Sequence, residues 1–88
     1  MNEINDLGEL RKIAKAYSKN KTFVFVEEVV SGRSAFYNGY VLSVKEDLIV
    51  FFDKILNKEF PIILETIRLI KPSKKEEDGR KQDWFNDL

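Results

Sequence analysis

Residues 35–52 read AFYNGYVLSVKEDLIVFF, two runs of strand-forming residues joined by a short polar turn. β-Branched and aromatic side chains favour extended backbone, so each run predicts a strand. The charged residues 45–47 are typical of a tight connection between strands. A glycine inside a strand often marks a bend, and Gly39 therefore predicts a sharply bent first strand. A bent strand followed at once by its partner predicts a small antiparallel sheet that curls.

The runs on either side of this pair also predict strands. Residues 23–30 are apolar on both faces apart from two glutamates, the pattern of a strand with little contact with water. Residues 60–64 predict a fourth strand, in which Pro61 lacks an N–H and belongs at the start or on an edge. Residues 68–70 predict a short last strand. Because a flat sheet of this size would leave one apolar face wet, we expect a small five-stranded antiparallel curled barrel.

The N-terminal part of the chain predicts one α-helix. Within residues 6–19, apolar side chains recur at three- and four-residue steps, which places them on one helix face. These side chains are Leu7, Leu10, Ile13, Ala14 and Tyr17. Asp6 is suited to the N-cap and Asn20 to the end of the helix. The predicted fold class is mainly β with one N-terminal α-helix, in a single domain that spans residues 1–72.

The C-terminal stretch differs in composition from this domain. Residues 73–83 contain no apolar side chain, so they bury too little surface to order themselves, and residues 73–88 are predicted to be a disordered tail. The tail nevertheless ends with Trp84, Phe85 and Leu88. Aromatic anchors of this kind are typical of a motif that docks into a groove on a partner. Folding back onto the same domain or onto a neighbouring copy explains them equally well.

The overall composition excludes several kinds of chemistry. The 88-residue chain has no cysteine and no histidine, which excludes disulfides, thiol catalysis, zinc fingers and imidazole acid–base catalysis. We therefore expect no enzyme, no cofactor and no metal. No apolar run approaches the roughly 20 residues that span a bilayer, and the first residues lack the build of a secretory signal. A cytoplasmic protein without a membrane partner is the expectation.

Fifteen basic and fifteen acidic side chains cancel, so any nucleic-acid contact has to come from local clusters. The helix face with Arg11, Lys12, Lys15 and Lys19 is the best electrostatic candidate, and loop and strand cations extend the set of possible phosphate ligands. Tyr37 and Tyr40, beside Phe36, are candidates for stacking on bases. The predicted nucleic-acid-binding residues are Arg11, Lys15, Arg33, Tyr37, Tyr40, Lys45, Lys54 and Arg68. Plain solvation of the cations and core packing of the rings are the competing interpretations.

Two acidic residues interrupt an otherwise apolar strand, and one of them has to face inward or towards an interface. These are Glu27 and Glu28. Inward carboxylates can act as catalytic acids, but no second acid in a comparable setting and no histidine accompanies them. Protection of an exposed strand edge is the better explanation.

The order of elements resembles that of the Sm-like proteins, the small barrels of RNA-associated rings. Residues 39–44, followed by residues 48–50, look like the first Sm motif, and Ile67 and Ile70 have the spacing of apolar positions in the second. The resemblance covers roughly residues 6–72 and implies a ring-forming barrel that binds RNA. The family's Asp and base-binding Asn, however, fall here on Lys45 and Ile49, and its Arg-Gly pair on residues 63–64. The barrel is therefore implied, whereas the usual RNA pocket is not.

Taken together, these features favour a non-enzymatic binding module. It is expected to self-associate and to bind RNA or another nucleic acid, with basic side chains on phosphates and aromatic rings on bases. The alternative is a protein-interaction adaptor that uses the barrel and the aromatic tail without any nucleic acid. The neutral charge and the missing pocket residues favour the alternative, and the order of elements favours the first.

Overall fold

The computed structural model describes residues 6–73, which form one helix and five strands. The predictions for Trp84, Phe85, Leu88 and the disordered tail concern residues outside this range, apart from Ser73. The elements are α1 Leu7–Asn20, β1 Val24–Val30, β2 Arg33–Val44, β3 Leu48–Asp53, β4 Lys58–Ile63 and β5 Ile67–Pro72, with a 3-10 turn at Leu64–Thr66 between the last two strands.

Helix α1 begins and ends where its sequence predicts. The carboxylate of Asp6 accepts hydrogen bonds from the backbone N–H groups of Gly8 at 2.8 Å and Glu9 at 3.3 Å. These bonds satisfy two donors that have no partner inside the helix. At the other end Lys21 adopts a left-handed backbone with φ 54°, which terminates the helix after Asn20. The apolar face is therefore presented as one stripe, with Leu10 fully buried.

The five strands form one antiparallel sheet in the order β4-β3-β2-β1-β5. The predicted class, mainly β with one N-terminal helix, is confirmed. Pro61 lies in β4, an edge strand, as its missing N–H predicts. Within residues 6–73 the sheet stays open, because β4 and β5 do not pair. Because neighbouring strands alternate in direction across the sheet, β4 and β5 run parallel to each other. The three-residue turn between them is too short to connect two parallel strands that lie side by side.

The sheet curls around a single core. The Tyr37 ring on β2 lies 5.0 Å from the Phe60 ring on β4, although β3 separates these strands. In a flat sheet the two strands would be nearly 10 Å apart, at about 4.8 Å per step. Side chains from all five strands and the helix meet in the buried cluster, which consists of Leu10, Ala14, Val24, Val26, Val41, Ile49, Phe51, Ile62, Leu64, Ile67 and Ile70.

At Gly39 the backbone of β2 lies close against the backbone of β3. A Cβ atom at Gly39 would overlap the carbonyl oxygen of Phe52 and lie 2.9 Å from the carbonyl carbon of that residue. Both obstacles are backbone atoms, so no side chain can turn aside to make room. The pairing of β2 with β3 then shifts between Val41 and Ser43, a bulge that adds bend and twist. The glycine is therefore required for space two residues before this bulge, in the strand that its sequence context predicts to be bent.

The substitution Gly39→Ala is expected to destabilise the protein by about 3 kcal/mol, at the upper end of measured overpacking penalties, because the backbone of β3 has to move. Gly32→Ala is the control. Gly32 has φ +77°, and a Cβ atom added there would meet no atom within 4 Å. Only the left-handed backbone then costs stability, by about 1 kcal/mol. Urea denaturation measures both values. Equal losses in the two variants would contradict the assignment of Gly39 to the bend.

Candidate nucleic-acid interface

Three of the predicted phosphate-binding cations lie together in the fold. Arg11 and Lys15 of α1 and Lys45 of the β2–β3 turn line one shallow concavity, along with Val44 and Glu46. Lys15 and Lys45 are exposed and Arg11 is half-buried. Three positive charges and one negative charge give this surface a net charge of +2 in a chain whose formal net charge is zero. We call this surface the basic concavity.

The docking of α1 across β2 creates the basic concavity. Arg11 Nε donates a hydrogen bond of 3.1 Å to the carbonyl oxygen of Glu46, and Ser18 Oγ donates one of 3.2 Å to that of Leu42. Residues four apart share a helix face, so the contact made by Arg11 also places Lys15 beside the turn. The turn is itself fixed, since the Lys45 N–H donates to the Leu48 carbonyl oxygen at 2.8 Å. The three cations therefore stand on well-anchored backbone.

The other predicted cations lie elsewhere. Arg33 begins β2 at the β1–β2 hairpin, and Lys54 follows β3, where its N–H donates to the carbonyl oxygen of Asn38 at 2.8 Å. Arg68 of β5 has its Nη1 3.9 Å from a carboxylate oxygen of Glu27. None of these three residues lines the basic concavity. A role for them in phosphate binding stays a prediction, without support from a shared site.

The two tyrosines predicted to stack on bases pack within the domain. The Tyr37 ring contacts Phe60 and lies 6.3 Å from the Phe51 ring, while the Tyr40 ring lies edge-on to Phe23 at 5.4 Å. The two rings have different neighbours and form no common platform. Both rings therefore pack within the domain, although Tyr37 also lines the open groove described next, and their role in stacking stays a prediction.

The structure reveals an open aromatic surface, of which the sequence analysis identifies only Phe36 and Tyr37. The rings of Phe25 and Phe36 are stacked at 5.8 Å with an interplanar angle of 18°, and the Lys71 ammonium lies 5.6 Å from the centre of the Phe25 ring. They belong to a groove of about 690 Å³ whose lining includes Ile55 and Leu56. We call it the aromatic groove and define it by Phe25, Phe36, Ile55, Leu56 and Lys71.

A register argument would have been needed to find the aromatic groove. Phe25 pairs with Asn38 on one side and with Lys71 on the other, so Phe36 is its diagonal neighbour across the β1–β2 hairpin. The alternation of side chains along β1 puts Phe25 on a defined face once the register is known. The sequence predicts the strands but leaves their register open, and the stacked pair was therefore not predicted.

The two glutamates of β1 are not protecting a strand edge, and that prediction is wrong. β1 lies between β2 and β5, so both of its sides are paired. The carboxylate of Glu28 accepts a hydrogen bond from the Tyr37 hydroxyl at 2.9 Å. The carboxylate of Glu27 accepts one from Ser34 Oγ at 3.1 Å. Both carboxylates therefore bond to neighbouring elements of the sheet. Polar side chains on a strand that is paired on both sides need such hydrogen-bond partners.

The hydrogen bond between Tyr37 and Glu28 contributes to a shift in the pKa of Tyr37. Burial, followed by the hydrogen bond and the charge of Glu28, raises the pKa of Tyr37 above its ordinary value of 10.0. The phenol therefore keeps its proton at neutral pH and remains the donor. This hydrogen bond links β1 to β2 through their side chains.

Neither a metal-holding cluster of side chains nor a membrane-spanning helix is found in the described part of the chain. Among residues 6–73 no group of three or more carboxylate, thiol or imidazole side chains is placed to hold a metal ion. In the same range, α1 falls short of the length and hydropathy that crossing a bilayer demands. Neither a model of a known protein family nor any curated protein matches the chain.

Replacing Tyr37 by Phe is expected to lower the free energy of unfolding by about 1–3 kcal/mol at pH 7, since a hydrogen bond to a charged group is lost. Tyr17→Phe is the control, because Tyr17 packs against the core without a hydrogen bond from its hydroxyl to the described part of the chain. The contribution of Tyr37 should be full below about pH 10 and decline as the pH rises through its raised pKa. Urea denaturation at several pH values measures this, and a pH-independent difference would contradict it.

Proposed function

We propose that this chain is a non-enzymatic module that binds single-stranded RNA or another nucleic acid through the basic concavity. The observation that carries the proposal is the meeting of Arg11, Lys15 and Lys45, from two separate elements, on one net-positive surface. The Arg11–Glu46 hydrogen bond holds the helix and the turn together there. Phosphate oxygens are the ligands that such a set of nitrogen donors suits best.

The chemistry of this surface favours backbone contacts over base recognition. Membership of the Sm-like proteins is part of the proposal, and the order of a helix and five antiparallel strands supports it. The usual base-binding Asn and the Arg-Gly pair are nevertheless replaced, by Ile49 and by residues 63–64. We therefore expect weak preference for base sequence. With three phosphate contacts on a single strand, the logarithm of the association constant should fall with the logarithm of salt concentration with a slope of about −2.

Self-association through the sheet edges is a second part of the proposal. The outer sides of β4 and β5 have no ladder partner among residues 6–73. Unpaired edges readily accept a strand from another chain. Ile63, at the end of β4, is 42% exposed and adds an apolar side chain beside this edge. Pairing of β4 in one copy with β5 in the next would repeat the basic concavity around a ring, which increases binding to a long strand. A cytoplasmic location also remains a proposal.

A protein-interaction adaptor is the alternative function, and the aromatic groove is the observation that favours it. Exposed apolar side chains beside one cation are more typical of a peptide-binding groove than of a phosphate site. The two functions are distinguished by whether substitutions in the basic concavity or in the aromatic groove abolish binding.

Removing two exposed cations of the basic concavity should weaken nucleic-acid binding selectively. We expect Lys15→Ala with Lys45→Ala to reduce the affinity for a fluorescein-labelled single-stranded oligouridine at least tenfold at low salt. The salt slope should become less steep by about 1.4, because two phosphate contacts are lost. Fluorescence anisotropy at several salt concentrations measures both quantities.

The control removes the same charge elsewhere. Lys21 and Lys58 are exposed and do not line the basic concavity, so Lys21→Ala with Lys58→Ala should leave most of the affinity intact. An equal loss of affinity in the control would show that binding depends on the net charge of the protein and not on the basic concavity. Failure of the unaltered protein to bind the oligouridine at near-physiological salt would overturn the proposed function.

A charge placed at the β4 edge should oppose self-association. We expect light scattering to show a species of several copies for the unaltered chain, and Ile63→Lys to shift it towards the monomer, because an edge lysine discourages pairing with a further strand. Leu42→Lys is the matched control, since Leu42 is 46% exposed but lies on the central strand β2. A monomer for the unaltered chain, or equal effects of the two variants, would contradict the role of the edges.

A further inference from the structure

The aromatic groove exposes several large apolar side chains to solvent. Phe36 is 58% exposed and Leu56 is 57% exposed, and Ile55 beside them is also exposed. Single exposed apolar residues are normal on a protein surface. A contiguous cluster of large ones is typical of a surface that another segment or a partner covers. The groove therefore needs an occupant.

The described part of the chain ends at the wall of this groove. Lys71, Pro72 and Ser73 line it together with the aromatic pair. The Ser73 N–H donates a hydrogen bond of 2.8 Å to the carbonyl oxygen of Phe23, which fixes the point from which the chain continues. Residues 74–88 thus start beside the groove.

The apolar side chains of residues 74–88 occur only at Trp84, Phe85 and Leu88. The length of chain between Ser73 and Trp84 allows these side chains to reach the groove. A flexible chain of 11 steps has a root-mean-square span of about 18 Å, whereas the described domain measures 35 × 30 × 26 Å. The span is long enough to cross the groove and short enough to keep the local concentration of the segment high. A short tether gives an effective concentration in the millimolar range.

The charges of the two surfaces are also complementary. Asp83 precedes Trp84, and Asp87 lies between Phe85 and Leu88. Lys71 stands over the Phe25 ring at the groove, where it can face such a carboxylate. Asp53 in the floor is buried and accepts a hydrogen bond from the Leu56 N–H at 2.8 Å, so its carboxylate is directed to its own turn. An apolar segment with acidic neighbours fits a groove of aromatic walls and one cation.

We propose that residues 84–88 occupy the aromatic groove of their own chain, with the side chains of Trp84, Phe85 and Leu88 against Phe25, Phe36 and Leu56. The segment covers the exposed apolar surface in cis, and any protein partner of the groove has to displace it. This inference rests on the groove and on the tether length. It does not depend on nucleic-acid binding by the basic concavity.

The single tryptophan of the chain makes the test direct. Because Trp84 is the only tryptophan, the intrinsic fluorescence of the full chain reports on this segment alone. We expect a blue-shifted emission maximum and weak quenching by acrylamide in the native protein. The double variant Phe36→Ser with Leu56→Ser should move the maximum to that of the urea-unfolded chain and raise the quenching constant several-fold.

Matched controls separate docking from general damage. Val30 and Leu42 are 49% and 46% exposed and lie outside the groove, so Val30→Ser with Leu42→Ser should leave the emission unchanged. Far-UV circular dichroism confirms that each variant keeps its sheet. The native emission should also be independent of protein concentration.

Three results would overturn the inference. The first is emission typical of solvent-exposed tryptophan in the unaltered chain. The second is an equal spectral change in the groove variant and the control. The third is a blue shift that develops only as the protein concentration rises, which would place the segment on a second copy.

Discussion

The close approach of Gly39 to the backbone of Phe52 is the contact on which the rest of the structure depends. It lets β2 stay paired with β3 at this point, while β1 pairs on its other side. Beyond it the register of β2 and β3 shifts at a bulge, and the sheet curls so that the Tyr37 ring contacts the Phe60 ring across the intervening strand. Leu10 and Ala14 of the 14-residue helix join the core that the curled sheet encloses. So few residues acquire a continuous core by this means.

The same curl distributes the candidate surfaces. Helix α1 packs against β2 and the 3-10 turn, and its polar flank meets the β2–β3 turn, where the basic concavity forms between Arg11 and Lys45. The aromatic groove lies beside the end of β5 and the β3–β4 turn, and its lining shares no residue with the concavity. Among residues 6–73, β4 and β5 each keep one side without a ladder partner. The proposed nucleic-acid surface is therefore separate from the aromatic groove, whereas the groove adjoins the β5 edge through Lys71 and Pro72.

Local features of the fold were predictable from the sequence, and tertiary ones were not. Asp6 caps the helix through backbone groups two and three residues away, and Gly39 is needed because there is no space for a side chain. The residue type and its position in the sequence therefore indicate each role. The edge-protection hypothesis for Glu27 failed because strand order depends on the whole sheet, and β1 proved central. The meeting of Lys15 with Lys45 depends likewise on where the helix docks. The stacking of Phe25 on Phe36 depends on a hairpin register that weak alternation left open.

The central proposal is that helix docking turns Arg11, Lys15 and Lys45 into one nucleic-acid surface. The most direct measurement is an NMR titration of the isotope-labelled full chain with single-stranded oligouridine, in which the amide signals locate the bound strand. We expect the largest shifts at residues 11–15 and 44–46, with the signals of β1 almost unchanged. Shifts concentrated elsewhere on the sheet, or none at all, would contradict the proposal.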